Sequence, residues 1–202
     1  MVLMMSPTLE PHHADWLIDH EGTPFVPLQV DFTLEDVRLG LAFHEAGHAV
    51  LCMAYGIHVI TTGIVSWQIE NGSWNTVGNT SWEAESVLCR DIAAQCAAGE
   101  LAHLRHLRET GRLTAETAQS AEADHDREQA IAILATAGVT LSVDDAPVGG
   151  LSWREVSAVA GRQVDALWSQ ISALAVELTY RELSGDEAAA VAGMTNPPVR
   201  CL

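Results

Sequence analysis

The sequence predicts a mainly α-helical fold with a small antiparallel β-hairpin or sheet set into it. Apolar residues make up 48% of the chain and Ala is prominent among them, a mix that favours packed helices over a disordered polymer. Most of the chain repeats its apolar residues at helical spacing. One stretch, Ile57 to Asn79, breaks that period with β-favouring residues on both sides of Asn71-Gly72. At 202 residues the chain can close one core of ordinary size, so a single domain is expected over 33–202.

Residues 1–32 carry Pro7, Pro11, Pro24 and Pro27 with little periodicity, and read as an extended arm. A first helix is expected over Thr33 to Tyr55. Thr33 can cap it, Asp36 is placed to complete a capping box, and Gly56 is a natural stop. The hairpin follows, its tight turn signalled by Asn71-Gly72, with Trp67 and Trp74 placed to pair across it. A long helix is read over Trp82 to His106, with Gly111 ending the run, and another from Thr114 or later to about Ala137. Gly138 to Gly150 reads as a loop. Leu151 to Arg181 reads as one helical run with Val156, Val159, Val164, Leu167, Ile171, Leu174 and Leu178 as its apolar stripe. Trp153 and Trp168 read as core anchors. Ser184 to Met194 reads as a short helix capped by Ser184.

The formal charge is −17, from 10 basic and 27 acidic side chains. Such a surface repels phosphate backbones and anionic lipid, so neither nucleic acid nor a membrane is an expected partner. No apolar stretch approaches the roughly 20 residues that cross a bilayer. The N-terminus lacks a basic region followed by an apolar block, so a cytoplasmic location is expected. Cys52, Cys89, Cys96 and Cys201 match no zinc-ribbon or redox spacing. The first three read as core residues of a reducing compartment.

The sharpest signal is His44-Glu45-Ala46-Gly47-His48. Residues four apart share a helix face, so both imidazoles can address one ion, and imidazole suits zinc. Glu45 falls off that face, where it can take a proton from a zinc-activated water. The polar triplet interrupts an apolar run, and charged groups in such surroundings need a partner or a metal. Gly47 costs a helix roughly 1 kcal/mol relative to Ala, which points to close approach of another backbone or of substrate. Catalytic zinc usually takes three protein ligands. Ala54 stands where a third His of the longer motif would fall, and Gln68 where a thermolysin-like Glu would fall, so the third ligand must come from further along.

With these residues in view, the chain resembles the FtsH family of zinc metalloproteases. His44-Glu45-Ala46-Gly47-His48-Ala49-Val50 looks like that family's active-site helix, and Ile57 to Asn79 fills the place of its strand-rich segment. Ala98-Gly99-Glu100-Leu101-Ala102-His103 stands where the family has Gly-Gly-Arg-x-Ala-Glu, with His103 replacing the family's Glu. Asp126-Arg127-Glu128-Gln129-Ala130 has the spacing of the family's third ligand, an Asp opening a helix. The likeness covers about Leu34 to Thr136. It implies a zincin-like FtsH-type peptidase fold, a catalytic core over 33–137 covered by C-terminal helices over 151–194, and zinc held by His44, His48 and Asp126. Asp124 is the alternative third ligand, and His103, His106 and His125 are outside candidates. No Gly-rich phosphate loop of an ATPase module is present, and neither are the family's membrane helices.

These readings predict a zinc-dependent, ATP-independent peptidase that hydrolyses peptides or unstructured protein segments, with Glu45 as general base. Competing readings are a zinc hydrolase or lyase for a small metabolite, and a non-catalytic zinc-stabilised interaction module, because a fold does not set its substrate. A homo-oligomer is possible on either reading.

Overall fold

Helix formation begins where the sequence expects it. In the computed structural model, which describes residues 32–70 and 72–199, helix α1 spans Leu34–Ala54. The Thr33 hydroxyl accepts from the Asp36 N–H, and the Asp36 carboxylate accepts from the Thr33 N–H at 3.0 Å. This capping box satisfies donors that a helix start otherwise leaves without partners. Beyond Tyr55, Gly56 turns the chain away with φ +78°. The strands β1 (His58–Gln68) and β2 (Trp74–Glu83) follow, then helices α2 (Cys89–Glu109), α3 (Ala115–Gln119) and α4 (Asp124–Thr136). The remaining elements are β3 (Leu141–Ser142), β4 (Leu151–Ser152), α5 (Trp153–Ala166), α6 (Trp168–Leu178), β5 (Leu183–Ser184) and α7 (Gly185–Ala192). The fold is thus mainly helical with a small antiparallel sheet, as expected.

Every residue of α1 from Glu45 to Met53 is buried, which makes it the central helix. One face meets α2, another meets α6, and a third lies on the hairpin. Among the described residues the sheet has the order β2-β1-β5, with β2 at an edge. Its inner face packs on α1 through the buried Thr62 and Ile64. Arg38 of α1 donates to Ser66 Oγ at 2.7 Å and to the Thr179 carbonyl at 2.7 Å, tying the hairpin and the end of α6 to one helix.

The hairpin register differs from the expected one. Ile69 N–H donates to the Ser73 carbonyl and Gly72 N–H to the Ile69 carbonyl, each at 2.9 Å, with Gly72 at φ +84°. Residues 70–72 therefore form the loop, one more than a two-residue Asn-Gly turn would use. Asn71 itself lies outside the described residues. Trp67 now opposes Asn75, and Trp74 opposes Gln68. Opposed residues share a sheet face, so the two tryptophans lie on opposite faces and the expected Trp67–Trp74 pair does not form.

Three expected helices also change. Trp82 is a buried residue of β2, so the long helix starts only at Cys89. Gly111 stops that run at φ +70°, as expected. The stretch from Thr114 breaks into α3 and α4, because Thr114 caps its own short helix with Thr117. Leu151 to Arg181 breaks at Leu167, since α5 packs on α2 whereas α6 packs on α1. Of the stripe residues, Val156, Val164, Ile171, Leu174 and Leu178 are nonetheless buried, whereas Val159 and Leu167 are only half-buried. The expected loop 138–150 contains β3, paired in parallel with β4. Ser184 caps α7 in a capping box with Glu187, as expected.

Cys52 and Cys96 are buried and Cys89 is half-buried, all three as free thiols. No helix of the described residues is long and apolar enough to cross a membrane. The expected arm over 1–31 and Cys201 lie outside the described residues.

Gly47 explains how closely α1 and α2 approach. A Cβ there would stand 2.6 Å from the Ala98 carbonyl oxygen and 2.8 Å from the Ala102 Cβ. Gly47→Ala gains about 1 kcal/mol of helix propensity but overpacks a backbone contact, at a cost of about 1–3 kcal/mol. Urea unfolding of Gly47→Ala should therefore show a net loss of up to about 2 kcal/mol. A gain in stability would contradict the close contact.

Candidate metal centre

The site begins with helix geometry. His44 and His48 lie one turn apart on the side of α1 that faces α2 and α4. Their Nε2 atoms are 3.0 Å apart. Asp126, in the first turn of α4, places its Oδ2 3.0 Å from His44 Nε2 and 3.2 Å from His48 Nε2. A carboxylate at that end of a helix also meets the favourable end of its dipole. The structure brings together His44, His48 and Asp126, and these could hold a metal ion.

Asp124, the alternative, does not join them. It is exposed and pairs with Arg127 across one turn. Helix rotation separates the two acids: two residues of α4 turn a side chain through about 200°. His125 is exposed, His106 stacks on Phe43 at 4.2 Å between ring centres, and His103 is buried against Gly40. None of the three is part of the group.

The protonation of His48 shows what the group requires. His48 Nδ1 stands 2.8 Å from the Gln95 carbonyl, which can only accept, so Nδ1 carries the proton. In a neutral ring Nε2 is then a bare lone pair aimed at a carboxylate oxygen and at a second imidazole. A proton on either Nε2, or a metal ion among the three atoms, satisfies such an arrangement. Burial pushes the His48 imidazole down, but the Asp126 carboxylate, with a smaller pull from Glu45, raises it to about 9. Burial likewise pushes Asp126 up, and the two imidazoles hold its carboxyl well below the usual range. His103 goes the other way: burial, with His44 and His106 nearby, pushes it down to about 3.

The donors fit a divalent ion of zinc's kind. Ligand atoms at about 2.0–2.1 Å from a tetrahedral zinc stand roughly 3.3 Å from one another. The separations here are 3.0, 3.0 and 3.2 Å. The Nδ1 hydrogen bond to Gln95 is the outer-shell contact that orients a ligating imidazole. Gly99 completes the cradle, since a Cβ there would overlap both imidazoles.

Glu45 points elsewhere. One residue of α1 turns a side chain through about 100°, which carries Glu45 from the α2 side to the sheet. It is 5% exposed, and its Oε2 accepts from the Thr80 hydroxyl at 2.7 Å. Its carboxylate fills the space where Gly78 lacks a side chain. A carboxylate held in this way on the sheet side of α1 can accept a proton there.

Sequence reasoning missed Gln95, Thr80 and Gly78. Gln95 acts through its carbonyl, which no side-chain pattern marks. Thr80 and Gly78 depend on a strand register that only the folded hairpin sets. Gly99 was visible as part of a small-residue run, without its reason.

Two outcomes follow for metal binding. Asp126→Asn should weaken zinc binding by roughly tenfold or more, while Asp124→Asn should leave it within about twofold, by chelator competition. Equal losses would mean that both acids share the ion. Metal needs a neutral imidazole, and the metal-free protein keeps the His48 proton until about pH 9. Zinc affinity should therefore climb from pH 6 to 9, by at most about tenfold per unit for that proton, and flatten above it.

Compared with known proteins, the chain matches no family model and no curated sequence, so any functional assignment has to come from these side chains.

Proposed function

We propose that this protein is a zinc-dependent peptidase of zincin-like, FtsH-type architecture that needs no ATP. It acts on peptides or unstructured protein segments. The observation that carries this reading is the convergence of His44, His48 and Asp126, with Glu45 buried on the same helix and held by Thr80 of β2. A site that only stabilised the fold would have no use for that carboxylate.

His44, His48 and Asp126 would hold the ion, leaving a fourth position for chemistry. Zinc, when bound, supplies Lewis acidity that lets water ionise near neutrality. Glu45 takes up a proton at its carboxylate and later returns one to the departing amine. Thr80 holds Oε2 in place through this exchange, so the carboxylate needs no reorganisation. Among the described residues β2 lies at the edge of its sheet, and an edge strand can bind an extended peptide by backbone hydrogen bonds, adding it as a strand. An edge strand accepts only extended chain, which is why folded proteins are poor substrates for it.

Glu45→Gln separates binding from chemistry. The variant should keep its zinc, measured by metal analysis, and lose turnover of a peptide library by roughly 10²–10⁴-fold. Undiminished turnover would remove Glu45 from the mechanism. Zinc-dependent folding without hydrolysis of any peptide in the wild type would favour an interaction module instead.

A further inference from the structure

The face of α2 that meets α1 carries one more polar side chain than the metal centre uses. Gln95, Gly99 and His103 follow one another along it at four-residue spacing, all three buried. The Gln95 carbonyl bonds His48, and Gly99 leaves the space that the His44 and His48 imidazoles fill. His103 is the next step of that row. Its Nε2 end lies against Gly40, one turn before His44 on α1, where a Cβ would overlap the ring. Only 6% of His103 is exposed. Among the described residues its ring nitrogens have no hydrogen-bond partner. The Tyr55 hydroxyl is the one fully enclosed side-chain polar atom there without a partner, so the His103 nitrogens keep a small opening. A nearly enclosed imidazole with no partner costs stability, and a ligand that enters by such an opening accounts for it.

We infer that His103 is a further binding residue of the metal centre, which donates a hydrogen bond to an oxygen of the ligand held there. The inference rests on the peptidase reading for the identity of that oxygen, which belongs to the carbonyl of the bond to be cut. The position follows from helix geometry. Side chains four residues apart on a helix lie about 6 Å from each other, and each leans over the turn before its own Cα. For His103 that turn carries Gly99, beside which the Nε2 atoms of His44 and His48 converge. His44 is also near enough to act on the charge of His103. His103 does not hold the ion itself, since the group that could do so comprises His44, His48 and Asp126. A neutral imidazole offers one N–H, which suits an oxygen bound beside the ion. A donor aimed at a carbonyl oxygen also stabilises the negative charge that develops on it. The ligand class is therefore a carbonyl-type oxygen donor, such as a peptide carbonyl or a hydroxamate.

The test uses the zinc-loaded full chain and acetohydroxamate, a small oxygen donor that seeks the metal. His103→Leu should weaken acetohydroxamate binding, measured by calorimetry, by about three- to tenfold, the worth of one hydrogen bond. His103→Gln, which keeps an N–H donor, should restore most of it. Zinc affinity, by chelator competition, should be unchanged in both variants. Urea unfolding of His103→Leu should show no loss of stability, because an apolar side chain replaces an unpartnered polar one. In the wild type, the ring N–H signal of His103 should shift in NMR spectra when acetohydroxamate binds. An unmoved signal overturns the assignment, whether or not the variants fold. Undiminished acetohydroxamate binding in His103→Leu, or loss of zinc from it, also overturns the assignment, and the peptidase reading stands if the wild type cleaves peptides. Weakened acetohydroxamate binding in His103→Leu, with no cleavage of any peptide by the wild type, upholds His103 and overturns the peptidase reading. Failure of the zinc-loaded wild type to bind acetohydroxamate overturns the assignment of His103, and peptide cleavage then decides the peptidase reading alone.

Discussion

Three potential ligand atoms converge between α1 and α4, in a group that could hold a metal ion, and the rest of the site is arranged around them. Two imidazole nitrogens and one carboxylate oxygen stand 3.0–3.2 Å apart, and the Gln95 carbonyl forces the His48 proton to the far side of its ring. A proton alone can occupy such a place, but only by bridging one pair at a time. A divalent ion addresses all three donors at once. The ion and the proton compete for the same lone pair, which couples metal affinity to pH.

Convergence requires α1 and α2 to lie closer than ordinary side chains permit. Gly47 admits the Ala98 carbonyl, and Gly99 leaves room for both imidazoles. Each glycine weakens its own helix by about 1 kcal/mol. Burial offsets that cost: the facing Ala46, Ala49, Ala94, Ala98 and Ala102 are all fully removed from water. Gly40 extends the contact by seating His103. The abundance of alanine that first suggested a helical fold is thus also what permits a short distance between the helix of the imidazoles and its neighbour.

Much of this was legible in local sequence, and the exceptions share a cause. The capping boxes at Thr33 and Ser184, the glycine stop after α1 and the spacing of His44 and His48 are decided within one or two helical turns. Asp126 was legible only through resemblance, because its place depends on how α4 lies against α2, which no local pattern records. The hairpin was legible as a hairpin, but its register turned on one residue in the loop, and that residue moved Trp74 to the face opposite Trp67. The joint at Leu167 was hidden because the apolar stripe continues through it, while the two halves choose different partners. Sequence periodicity reports that a face is buried; it does not report against what.

The rotation of one helix also divides the labour of the site. Successive residues of α1 differ by about 100°, so His44 faces the other helices while Glu45 faces the sheet. The metal donors are thereby anchored to α2 and α4, and the candidate base to β2. These two supports differ in kind. The helical side is closed by buried packing, including the Phe43 ring stacked between His106 and Trp168, with Arg105 4.3 Å from the centre of the Trp168 ring. The sheet side ends in β2, which among the described residues lies at the edge of its sheet. Because α1 meets α2 and α6 on one side and the hairpin on the other, the motif His44-Glu45-Ala46-Gly47-His48 presents its imidazoles and its carboxylate to different neighbours from one central helix.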